Sequence, residues 1–355
     1  ATGQGNVNVI TATGDVKLTG NSKAGKAIYV HTTSGDITID GTVTSDTPAP
    51  TQGQTNAILL ALQQAGALPE NGIHIDSTSG TITASGDFTG GTGGAAELVS
   101  QTGDIIYSGA LSTGQGVLFQ TQSGDITVGT AKTASSLTST GATVTLETTG
   151  NTAQDKGDIT LYGSAASVTG TTVKTNSLGN IRLEGSLKST GKTGNVLVQT
   201  TNGTISLTAS DNTVPVISSG NDATVWSTTS GGITVTGDIT AAKAASLAAA
   251  EGNVSLTGNL TANGGAASVS ASDKDVDAAN ADDLKGDIAI TGNVISATDA
   301  VTVSTDNGNI NLQGLTQSVL GTTVQTGSGD ISVHGSLQTV APKAGTKLAE
   351  GATQH

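Results

Sequence analysis

Residues 27–46 read AIYVHTTSGDITIDGTVTSD. Three short apolar runs lie in these twenty positions, with turn-forming Gly, Asp, Ser and Thr between them. Successive side chains of a strand point to opposite faces, so Ile37 and Ile39 share one side and Thr38 takes the other. Val43 opens a third run. The stretch therefore reads as three strands joined by tight corners.

The same phrase returns along the whole chain. A Gly, then commonly Asp or Asn, then aliphatic, any, aliphatic begins at Gly14, Gly35, Gly80, Gly103, Gly124, Gly157, Gly179, Gly203, Gly231, Gly252, Gly286, Gly308 and Gly329, with a partial copy at Gly5. The shortest spacings are 21 to 24 residues, and the larger ones fit one period plus an insertion. An aliphatic run precedes the anchor, as in GVLFQTQSG before Asp125 and NVLVQTTNG before Thr204. A third apolar position follows it, as at Val43, Phe88, Leu111, Leu187, Ile239, Leu260, Val294 and Leu337. A strand pattern with this period predicts an all-β fold, a right-handed parallel β-helix with three-strand coils of about 21 residues. Thirteen coils at about 4.8 Å each would make a rod of roughly 60 Å. One solenoid is expected over 1–340, with insertions at about 44–71, 150–156 and 272–285, and a C-terminal tail or linker at 341–355.

Composition agrees. The 355 residues include 50 Gly and about 60 Thr, but only two Phe, three Tyr and one Trp. There is no Cys and no Met. The missing Cys excludes a disulfide framework, a thiolate metal site and a Cys nucleophile. Lacking Met, the chain reads as a processed or excised segment. The longest apolar stretch is far shorter than a membrane span, so no direct membrane insertion is expected. A net charge of −14 with a single Arg, Arg182, argues against nucleic acid as a partner.

The Asp/Asn residues after the anchor glycines form a column that invites a calcium or catalytic reading. At a tight corner, however, Asp and Asn accept local backbone hydrogen bonds, and the column is read as turn chemistry. The Thr/Ser column three residues before the anchor (Thr32, Ser77, Ser100, Thr121, Thr200, Thr228, Thr305, Thr326) is suited to hydrogen bonding from coil to coil. The outward positions of the anchor strands run from Lys17 and Thr38 to Ile106, Arg182 and Asn311, too mixed for an ice-matching face.

The insertions are where specialised function would be grafted. After Pro50, the stretch TNAILLALQQAGALPENG carries helix signals, with Ile58, Leu59 and Leu62 as an apolar stripe and candidate partner-docking residues. The acidic insertion SASDKDVDAANADDLKGD places Asp273, Asp275, Asp277, Asp282 and Asp283 close together, which makes them calcium candidates. An EF-hand loop would need Gly at Ala278 and Glu at Leu284, so that motif is absent. No other cofactor is implied. Polysaccharide-acting β-helices need clustered carboxylates with basic partners and stacking aromatics, and His31, His74, His334 and His355 share no motif. The chain is not expected to be an enzyme.

The tandem SGDITIxG, GNIxLxG and GNVxLTG phrases resemble the filamentous-haemagglutinin-like exoproteins, the secreted TpsA partners of two-partner secretion in Gram-negative bacteria. The resemblance covers about residues 5–338. No NPNG- or NPNL-type signature is present, so the segment resembles that family's β-helical shaft. The resemblance implies a secreted protein of the bacterial surface or biofilm matrix, a structural or adhesive shaft with host or matrix glycans or other surface proteins as partners. The alternative expectation is a fibre subunit that self-associates end to end.

Overall fold

The computed structural model describes residues 5–46, 71–150, 152, 155–176, 178–211, 213–273 and 286–342. Among these there is no helix, and the strands pair in parallel, as a β-helix requires. Two compact units are present, Ala1–Val168 and Thr169–His355.

In the first unit one face is built from the long strands Val7–Thr13, Ala27–Ser34, Gly72–Ser77, Ala95–Ser100, Val117–Thr121 and Thr143–Thr148, stacked in that order. The anchor phrases form a second face. There Val16 pairs with Ile37, Ile37 with Ile82, Ile82 with Ile105, and Ile105 with Ile126. The third runs are a short-strand face, in which Val43, Phe88, Leu111 and Leu137 follow one another. Strand Ile159–Ser167 rounds the corner and serves both of these faces. The second unit repeats the plan. Its long strands are Gly170–Thr175, Asn195–Asn202, Ala223–Ser230, Ala245–Ala249, Ala267–Ala271, Val301–Asn307 and Thr322–Ser328. Strand Ile181–Ser189 pairs with both Ile205–Thr208 and Ile217–Ser219.

Parallel stacking puts identical phases one above another, so each inward column becomes a ladder. Ile37, Ile82, Ile105, Ile126 and Ile159 are all fully buried in one such column. Burial of such a side chain contributes about 1.5–3 kcal/mol. Three large rings, Phe88, Tyr107 and Phe119, are fully buried in this interior. Tyr107 pairs with Ala84, and its ring meets Phe88 and Phe119 edge-on, at 5.2 and 5.6 Å between centroids. Its hydroxyl donates to the Gly86 carbonyl at 3.1 Å.

Corner glycines are demanded by close approach. A Cβ on Gly80 would lie 1.7 Å from the Gly35 carbonyl oxygen, and one on Gly231 (φ +118°) 1.8 Å from that of Gly203. Coils therefore touch backbone to backbone at the anchor, which explains why this position is repeatedly glycine.

The Asp/Asn column works differently from the local turn role expected of it. Asp15 Oδ1 accepts from the Asp36 amide, Asp104 from Asp125, Asp125 from Asp158, and Asn309 from Asp330, each at 2.9 Å. The side chain thus satisfies the equivalent amide one coil later. A second corner does the same through Asp87, Asp238, Asn259 and Asn293. The hydroxyl column links coils as expected: Ser100 Oγ donates to the Gly80 carbonyl and accepts from the Gly103 amide, both at 2.9 Å. Thr228 is the exception. A register shift between Thr200 and Asn202 leaves Ser227 as the buried hydroxyl in that coil.

Candidate binding surface

Most polar side chains at the corners are committed to holding coils together, so a site must be sought among outward groups free of that duty. On the long-strand face of the first unit, the outward positions carry Tyr29 and His31, then His74 and Asp76, then Glu97. Register brings Tyr29 beside His74, His31 beside Asp76, and His74 beside Glu97.

Two histidine–carboxylate pairs result. His31 Nδ1 lies 2.5 Å from Asp76 Oδ2, and His74 Nδ1 lies 3.0 Å from Glu97 Oε2. An ionised carboxylate only accepts, so each Nδ1 carries the proton. His74 is 8% exposed, and its Nε2 is buried without a hydrogen-bond partner. The His74 hydrogen bond holds the Glu97 carboxyl below the ordinary carboxylate range, against a smaller opposing effect of burial. Tyr29 stacks on His31 with 6.0 Å between ring centroids. Burial first, and then the Asp76 carboxylate, push the Tyr29 hydroxyl up to about 12. The patch spans three consecutive coils and combines a ring face, two imidazoles and two carboxylates.

Sequence reasoning did not pair these residues. His31 and Asp76 are 45 residues apart, because the first insertion falls between their coils. Aligning HTTSG at His31 with DSTSG at Asp76 would have placed them side by side. The motif was there, but pairwise comparison of outward positions was needed to see it.

Of the expected calcium residues, Asp273 is described, and its carbonyl accepts from Asn307 Nδ2 at 3.2 Å. Asp275, Asp277, Asp282 and Asp283 lie outside the described residues, as do the docking candidates Ile58, Leu59 and Leu62. Among the described residues no group of three or more His, Asp or Glu side chains could hold a metal ion. No helix among them is long and apolar enough to cross a membrane. Asn253 (NVS) and Asn259 (NLT), which carry the NxS/T glycan-acceptor pattern, are ladder residues whose Oδ1 atoms accept the amides of Asp287 and Asn293.

In the second unit Trp226 is 43% exposed on the long-strand face, between Gln199 and Ala248. The outward residues of the coils after it are small and uncharged: Ser246, Ala248, Ser268, Ser270, Thr302 and Ser304. No known protein family matches the chain, and neither a curated protein nor a solved structure matches it.

Proposed function

We propose that the chain is an extracellular structural or adhesive β-helix shaft of a secreted bacterial surface or biofilm-matrix adhesin, similar in kind to the filamentous-haemagglutinin-like exoproteins. One observation carries this reading. The corner carboxylates, amides and hydroxyls are spent on coil-to-coil bonds, while two histidine–carboxylate pairs and Tyr29 are gathered on one outward face of the first unit. That division suits a scaffold that displays a binding surface. The adhesive patch would be the one around Tyr29, His31, His74, Asp76 and Glu97. Glycans or surface proteins of a host or matrix would be its partners, and no catalysis is assigned to it.

The test is display of the chain on a bacterial cell, followed by adherence to matrix-coated and host-cell surfaces. Adherence above that of empty cells, reduced by a His74→Ala/Glu97→Ala double variant, supports the reading. Adherence equal to that of empty cells overturns its adhesive part. Cleavage of any member of a polysaccharide panel overturns the non-enzymatic part.

A second reading is the end-to-end fibre, which would act through the edge of the last described coil. Ile331, Val333 and Leu337 are 44%, 38% and 49% exposed, whereas their counterparts one coil earlier, Ile310, Leu312 and Thr316, are buried. In the fibre reading a second copy covers this edge. Sedimentation velocity separates the two readings: concentration-dependent growth into filaments favours the fibre, and a constant monomer favours the shaft.

A further inference from the structure

We infer that the long-strand face of the first unit holds a small site for an alkylammonium group, with Glu97 as its anion and Leu118 and Ala95 as the bed for the stem. The inference is independent of the shaft reading, since a spacer or a fibre could equally carry such a site.

The geometry comes from three neighbouring strands, Ala95–Ser100, Val117–Thr121 and Thr143–Thr148. At their start the residues are Ala95, Gly116 and Thr143, and two positions on from Ala95 and Thr143 stand Glu97 and Thr145, with Leu118 between them. The low start beside the taller side chains leaves a depression of about 290 Å³ lined by these residues. That is at the small end of ligand pockets, roughly 300–1,000 Å³.

Glu97 is the sole charged residue in this lining. Its side chain is 42% exposed and therefore reachable. His74 Nδ1 holds one carboxylate oxygen at 3.0 Å, which fixes the orientation of the group. A carboxylate fixed in this way needs little reordering on binding, which favours affinity. The same hydrogen bond keeps Glu97 ionised. Strands Gly72–Ser77, Ala95–Ser100, Val117–Thr121 and Thr143–Thr148 contain no Lys or Arg, so His74 is the one basic side chain they bring to Glu97.

An ammonium group has three donors and no acceptor. Glu97 accepts one charge-assisted bond, and Thr143 and Thr145 line the same depression. An aliphatic stem of a few methylenes lies against Leu118 and Ala95, as lysine stems lie on apolar surface elsewhere. An anion would meet the Glu97 carboxylate, and a neutral alcohol would forgo the charge-assisted bond. The class is therefore a primary amine on a short alkyl chain, whether a free amine or a lysine side chain.

The test is NMR titration of the full chain with n-butylammonium and, separately, with Nα-acetyl-lysine methylamide. A saturable shift of the 95–97, 116–118 and 143–145 amides, with a dissociation constant in the millimolar range, is expected for n-butylammonium. The same response to the blocked lysine would admit polypeptide lysines as the source, and its absence would restrict the site to free amines. The Nε-acetylated lysine amide and n-butanol should give no saturable shift. Glu97→Gln should weaken n-butylammonium at least tenfold. Leu118→Ala should weaken n-butylammonium severalfold while leaving methylammonium unchanged, which isolates the stem from the charge. The proposal is overturned if n-butylammonium gives no saturable shift, or if Glu97→Gln binds it as tightly as the parent chain.

Discussion

The two units share one backbone plan but differ in their side chains. The first packs three aromatic rings into its interior and presents imidazoles and carboxylates on its long-strand face. The second fills its interior with smaller groups, among them Ala223, Ala241, Ala245, Ala249, Ala262, Ala267 and Ala271, and presents mainly small hydroxyls outside. Their ladders differ too. Asp104, Asp125 and Asp158 stack as three successive carboxylates in the first unit. In the second unit Asp287 sits between Asn253 and Asn309. The backbone alone does not tell the units apart, so their chemistry has to be read from what the columns carry. Nature supplies a convenient reporter: Trp226 is in the second unit, whereas Tyr29, Tyr107 and Tyr162 are all in the first. Indole and phenol fluorescence can therefore follow the units separately.

The largest expected effect tests the interiors. Phe119→Ala removes one ring of the cluster and should cost the first unit about 4 kcal/mol. Leu247→Ala, between Val225 and Val269 in the second unit, should cost about 3 kcal/mol. Denaturant melts followed by tyrosine and by tryptophan emission would measure each. If Phe119→Ala moved the tryptophan transition as far as the tyrosine one, the separation into two units would fail.

Corner glycines should show no such difference between the units. Gly80→Ala and Gly231→Ala each force a methyl group into a carbonyl of the preceding coil, and each should cost about 3 kcal/mol in its own unit. A tolerated alanine at either site would break the claim that backbone contact fixes the residue there.

That claim also shows what the sequence could reveal. Gly35, Gly80 and Gly103 recur because each coil repeats the same contact, and a repeated contact leaves a repeated letter. The fold was legible for that reason. The role of Asp15 was not, because Gly-Asp at a corner looks the same whether the carboxylate serves its own turn or the next coil. Thr228 was misplaced because a single-residue register shift is invisible to a fixed spacing. The pairing of His31 with Asp76 and of His74 with Glu97 depends on neighbours in different coils, and insertions of unequal length hide that adjacency.

The ladders give the third comparison. Burial raises the Asp125 carboxyl above its ordinary value, and the carboxylates of Asp158 and Asp104 add to the rise. A raised folded-state value means that this group favours the fold most in acid, and that the contribution is lost as pH rises through that value. Asp125→Asn keeps the Oδ1 acceptor for the Asp158 amide and removes the charge. It should raise the Tm of the first unit modestly at pH 7, and the gain should shrink at pH 3. Asp287→Asn should change little, because asparagines already flank that carboxylate. An equal gain at both sites, read by thermal melts, would show that stacked charge is not what distinguishes the two ladders.

The smallest effect concerns the outward patch. His74 holds the Glu97 carboxyl below its ordinary value, so this pair stabilises the first unit above the ordinary glutamate range near 4.5. The contribution is lost as pH falls through the lowered folded-state value. Because Glu97 is substantially exposed, solvent screening limits the coupling to less than about 1 kcal/mol. A double-mutant cycle of His74→Gln and Glu97→Gln at pH 7, followed by tyrosine emission, should return a favourable coupling that disappears at pH 3. Coupling that persisted at pH 3 would mean that the two side chains interact by packing. The charge-assisted bond that orients Glu97 would then have to be discarded, and with it the reason that this face of the first unit differs chemically from its counterpart in the second.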